Sequence, residues 1–160
     1  LYMRNLFLTA VFALGIPVAA IAQDIFSVIG PDGTVVKTYS LEQLDALDQT
    51  TYVTKNPFID GTSEFSGPLA RVVLADAGQD MPSDAQIRVM AINDYKIDMP
   101  LGDILDFDVM LATRRDGETM SLREKGPIWI MYPISDHAEL EDEAINSRLV
   151  WQTKSMQIVE

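Results

Sequence analysis

Ile87, Val89 and Ala91 alternate with polar or flexible positions, and beyond Asn93-Asp94 the alternation resumes at Tyr95, Ile97 and Met99. This pattern predicts a hairpin of two half-buried strands. Earlier in the chain, Asp24 to Ile29 and Thr34 to Tyr39 are short β-rich segments around the turn formers Pro31-Asp32-Gly33, which predicts an opening strand pair. Ser40 and Gln43 have capping-box spacing, and Leu41, Leu44 and Leu47 follow at helical spacing. Thr50 to Thr54 reads as a strand, and Asn56 to Gly67, rich in turn formers, reads as a long loop. Pro68 suits the first turn of a helix with Leu69, Val72, Val73 and Ala77 on its apolar face and Gly78 closing it.

The remainder predicts mainly strands. Leu101 to Leu105 is a short helical turn, Val109 to Ala112 an apolar strand, and Asp116-Gly117 a hairpin turn leading into Thr119 to Leu122. Ile128 to Met131 is apolar throughout, as a strand buried on both faces is. Asp136 caps an expected helix over His137 to Ile145, with Glu139 three residues on, and Trp151 to Val159 makes a closing strand. The expected class is α+β, with mixed β-sheets and three or four short helices. No repeat, low-complexity stretch or second boundary interrupts residues 23–160, which are expected to form one domain.

Residues 1–22 fall outside this pattern. Arg4 precedes an apolar run from Leu6 to Ala20, and Ala20-Ile21-Ala22 places small residues at a cleavage site, so the segment is expected to be a secretory signal peptide. The run is short for a permanent span, contains Gly15 and Pro17, and ends in the A-x-A pattern. Cleavage after Ala22 would shorten the chain from 160 to 138 residues and send it to the periplasm. That size supports a core without covalent staples.

Charge and composition then narrow the chemistry. There are 12 Lys and Arg against 24 Asp and Glu, a net charge of −12, with one His and no Cys. Lack of thiols excludes disulfides, a Cys nucleophile, thiolate-held iron–sulfur clusters and Cys-type zinc sites. A strongly acidic chain is also a poor match for nucleic acid or an anionic membrane face, both of which need basic clusters.

The runs Phe65-Ser66-Gly67-Pro68-Leu69, Val73-Leu74-Ala75-Asp76-Ala77-Gly78, Ala91-Ile92-Asn93-Asp94-Tyr95, Leu111-Ala112, Gly126-Pro127-Ile128-Trp129-Ile130-Met131-Tyr132-Pro133 and Val150-Trp151-Gln152 stand in that order, before Ile158-Val159. Together they resemble the molybdopterin-binding domain of sulfite-oxidase-like oxidoreductases, and more closely the short exported proteins related to it. The resemblance covers about residues 30–159. It implies the sulfite-oxidase-type molybdopterin-binding domain fold, a pterin cofactor lying across loops, and a Cys thiolate on molybdenum. That Cys would fall between Val53 and Asn56, where this chain has none. Thr54 offers a hard hydroxyl that cannot replace a soft thiolate. The resulting expectation is a non-catalytic domain that binds a small anionic ligand or a periplasmic or membrane protein partner. The alternative is a molybdopterin-dependent oxidoreductase with a non-Cys metal ligand.

Several side-chain groups are candidates for that binding. Arg114, Arg115, Arg123 and Lys125 lie within twelve residues beside Gly117 and Gly126, and could hold a phosphate or carboxylate or simply offset an acidic surface. Asn93, Asp94 and Tyr95 offer an amide, a carboxylate and a phenol, although turn chemistry also explains Asn-Asp. Trp129, Tyr132 and Trp151 could stack on a planar ring or pack the core. His137 and Glu141, four apart and near other acids, could hold a cation, but one imidazole with carboxylates specifies no transition metal. No G-x-S-x-G elbow supports a hydrolase built on the single His. The methionines are dispersed, as gap-fillers in a core are.

Overall fold

The computed structural model describes residues 22–159, so the expected leader lies, but for its last residue, outside the described residues. The expected opening pair forms: β1 (Asp24–Ile29) and β2 (Val35–Ser40) are antiparallel around Gly33 at φ 83°. Ser40 then caps α1 (Leu41–Asp45) in a complete capping box, its Oγ accepting from the Gln43 N–H while Gln43 Oε1 accepts from the Ser40 N–H. Next come β3 (Gln49–Lys55) and β4 (Thr62–Pro68), antiparallel from Gln49 opposite Pro68 to Lys55 opposite Thr62.

β4 corrects the expected loop over 56–67. The turn is confined to residues 56–61, with Gly61 at φ 68°, and the strand that follows buries Ser63, Phe65 and Gly67 on one face. Thr, Ser and Gly disguise it in the sequence because small residues are what this face needs. A Cβ on Gly67 would lie 2.0 Å from the Leu111 carbonyl oxygen. Pro68 therefore ends a strand instead of opening a helix, and α2 (Ala70–Asp76) begins after Leu69 without a side-chain cap, with Gly78 beyond it at φ 69°.

β5 (Gln86–Ala91) and β6 (Lys96–Pro100) form the expected hairpin, with Tyr95 in its turn and not on the strand. α3 (Leu101–Asp106), the short β7 (Met110–Ala112) and the small hairpin of β8 (Arg114–Arg115) and β9 (Glu118–Thr119) follow. β10 (Trp129–Met131) is buried at every position, as its apolar run requires. The helix expected over 137–145 is replaced by a 3-10 turn at Ala138–Leu140 and by α4 (Glu143–Arg148), capped by Asp142. Leu140 and Ile145 are both buried yet five residues apart, so one continuous helix would turn them to different sides. The break lets both face inward. β11 (Thr153–Val159) closes the chain.

These elements make a mixed α+β fold with several sheets and few, short helices. The larger sheet has the order β2-β1-β11-β5-β6, with β1 and β11 parallel; β3-β4-β8-β9 form a second, and β10-β7 a two-stranded third. The third sheet bridges the other two. Trp129 of β10 meets Phe65 of β4 edge-on at 5.6 Å, while the Ile130 N–H donates to the Val150 carbonyl oxygen, just ahead of β11. Trp129, Tyr132, Phe26, Tyr39 and Phe65 are the largest of the buried side chains. Among the described residues no helix is long and apolar enough to cross a membrane.

Candidate functional site

Four segments with unrelated local reasons to turn converge at one end of the β5–β6 hairpin. The hairpin turn needs Asp94 in the left-handed region, at φ 65°, and is held against the 149–152 segment by the Ile92 N–H, which donates to the Gln152 carbonyl oxygen. Its Tyr95 hydroxyl donates to the Ser147 carbonyl oxygen at 3.2 Å, fixing it to the end of α4. The 56–61 turn is fixed by Asn56, whose Oδ1 accepts from the Phe58 N–H at 2.9 Å. In the last segment, Lys125 (φ 74°) and Gln152 (φ 53°) both adopt left-handed backbone and are tied by the Gln152 N–H donating to the Lys125 carbonyl oxygen. Gly126 is obligatory beside them: a Cβ there would stand 1.9 Å from the Met120 carbonyl oxygen.

The segments enclose a cavity of about 250 Å³. Phe58 and Trp151 wall it with an edge-to-face ring pair at 4.9 Å, Ala91, Leu149 and Val150 line its floor, and Asn93, Tyr95, Asn146 and Ser147 supply its polar margin. The Lys125 ammonium lies against the same rings, 4.4 Å from the Trp151 centroid and 5.8 Å from that of Phe58, and 5.6 Å from buried Trp129. Eight other Lys and Arg side chains, and the one His, lie within 4 Å of a carboxylate, whereas Lys125, like Lys96 and Arg123, has no such partner among the described residues.

Of the candidate residues, Asn93, Tyr95 and Trp151 line the cavity, and Lys125 lies against the Trp151 ring. Asp94 turns away to Lys154 at 2.6 Å, an exposed pair that holds its carboxyl below the usual range. The basic cluster divides. Arg114 makes a two-pronged pair with Asp45 at 2.6 and 2.8 Å, Arg115 donates to Ser63 Oγ at 2.9 Å, and Arg123 is exposed, so neither Arg114 nor Arg115 shares a partner with Lys125. Tyr132 is fully buried and does not line the cavity, its hydroxyl donating to Asp103 at 2.8 Å; burial, then the neighbouring carboxylate, pushes the phenol well above its ordinary value. Arg148, at the end of α4, also donates to Asp103. His137 lies near Glu139 while Glu141 pairs with Lys55, and among the described residues no three His, Asp or Glu side chains converge on a common point. Phe58 and Asn146 were not among the candidates. The turn-rich composition around Phe58 hid an aromatic whose only signal was its presence in such a segment.

The place where the resemblance puts a metal-binding thiol holds Thr54, fully buried, with its hydroxyl donating to the Lys55 carbonyl oxygen and accepting from the Ser135 N–H. Next to it, buried Asn56 donates to Met131 Sδ. Among the described residues no buried side-chain nitrogen or oxygen lacks a partner, and Arg71, Arg114 and Arg148 are each engaged by a carboxylate. A phosphate-bearing pterin with a soft metal needs free cations and a thiolate. The residues present do not fit that group.

No family model matches the chain, and no curated protein does. Among solved structures, the chain is similar to the sulfane dehydrogenase SoxCD from Paracoccus pantotrophus, with a TM-score of 0.62 at 17% identity, over 84% of this chain and 37% of that one. The chain thus spans little more than a third of that protein's length. The likeness is one of fold.

Proposed function

We propose that this chain is an exported, periplasmic binding domain with the sulfite-oxidase-type molybdopterin-domain fold, without oxidoreductase activity, and that it holds a small anionic ligand at the Phe58–Trp151 cavity. One observation carries the reading: half-buried Lys125, with no carboxylate to neutralise it, holds its ammonium 4.4 Å from the centroid of Trp151 and 5.8 Å from that of Phe58, the two rings that wall the apolar cavity. In so acidic a chain, an unpaired cation beside a concave apolar wall is where an anion gains most. The satisfied Thr54 hydroxyl and the absence of Cys support the non-catalytic part, since fold and chemistry separate readily.

Titration of the native chain with acetate, benzoate, inorganic phosphate and sulfate, followed by tryptophan fluorescence and calorimetry, tests it. Binding of at least one anion, weakened about tenfold or more in Lys125→Ala, is expected from the loss of a charge-assisted contact. Equal affinity in the two proteins for every anion that binds, or binding of none, would overturn the assignment.

A further inference from the structure

We infer that the ligand is a monoanion built on one aromatic ring, an aryl or arylalkyl carboxylate; this rests on the anion-binding reading of the same cavity. Three properties of the cavity select that class. First, size: an apolar cavity of about 150 Å³ accommodates a benzene, so about 250 Å³ admits one ring and a short substituent. Second, the wall: the Phe58 and Trp151 rings, paired edge-to-face at 76°, both line the cavity and offer a third ring an aromatic surface to pack on. Third, charge: the single ammonium lying against the cavity's two ring walls, that of Lys125, matches one carboxylate, whereas a doubly charged phosphate ester is usually met by several cations. Arg114, Arg115 and Arg148 are engaged elsewhere.

The polar margin agrees with this class. Asn93 Oδ1 accepts from the Tyr95 N–H, and its two amide N–H donors match an acceptor oxygen. Asn93 and Tyr95 are exposed, which leaves room for a ring substituent to reach solvent on that side.

The test compares benzoate and phenylacetate with uncharged benzamide and with acetate, for the native chain, Lys125→Met and Phe58→Ala, each checked for a native circular dichroism spectrum. Phe58 is 39% exposed in a turn, so its truncation leaves the core intact. Benzoate or phenylacetate should bind the native chain at least tenfold more tightly than acetate or benzamide, lose about tenfold in Lys125→Met, and weaken in Phe58→Ala, where acetate is unaffected. Benzamide binding as tightly as benzoate, or Phe58→Ala leaving aryl carboxylates unchanged, would overturn the assignment of ligand class. Lys125-dependent binding of acetate or phosphate without any aryl preference would overturn it too, while leaving the anion site standing. No Lys125-dependent binding of any anion would remove both.

Discussion

Arg114 and Lys125 show how two cations of one basic run acquire different roles. Arg114 forms a forked pair with Asp45, each side chain about a third exposed, and is part of the scaffold. Arg114→Ala should lower stability by about 1 kcal/mol or less, given solvent screening, and leave anion affinity unchanged. Chemical denaturation and the same titrations measure both quantities. Lys125 should behave oppositely, with affinity lost and stability nearly kept. Tyr132 belongs to the scaffold as well: Tyr132→Phe leaves Asp103 to Arg148 alone and should cost about 1 kcal/mol, read as a lower urea midpoint.

Close packing between elements sets a sharper constraint. β4 passes so near β7 that Gly67 has no room for a methyl group, and Gly67→Ala must move a backbone carbonyl. It should cost roughly 3 kcal/mol or more, at the upper end of overpacking penalties, or prevent folding; a denaturation midpoint equal to the native one would show that β4 and β7 are farther apart. The sequence made the β1–β2 and β5–β6 hairpins, the Ser40 capping box and the buried β10 legible, because alternation, turn residues and caps are local signals. β4 was not legible, since its small residues are chosen by a neighbour distant in sequence. For the same reason the site was only half visible. Asn93, Tyr95 and Lys125 stood out as types, but only the fold brings Phe58 and Asn146 to the same cavity and sends Arg114 to Asp45.

For the whole molecule, acid sensitivity follows from carboxylates held below their usual range: Asp76 by Lys37 and Tyr39, Asp98 by Arg88, Glu124 by the Ser121 N–H and hydroxyl. A depressed folded-state value means that the unfolded chain binds protons first as pH falls. Their stabilisation is therefore fully present above the ordinary carboxylate range and lost below about pH 4. Tyr39, Tyr52 and Tyr132 are shifted upward, chiefly by burial, so the unfolded chain loses these protons first and stability should fall again above about pH 10. Urea midpoints across pH should show both limbs, and Asp76→Asn should flatten the acid one. A midpoint constant from pH 6 to pH 3 would contradict the ion-pair account.

We propose that this fold serves binding, without the metal chemistry that its likeness to sulfite-oxidase-like domains implies. Molybdenum analysis together with pterin fluorescence, made on the untagged chain purified from its native host, decides between the two. Molybdenum far below one atom per chain, with no pterin released on denaturation, is the predicted result; about one molybdenum and one pterin per chain would contradict it.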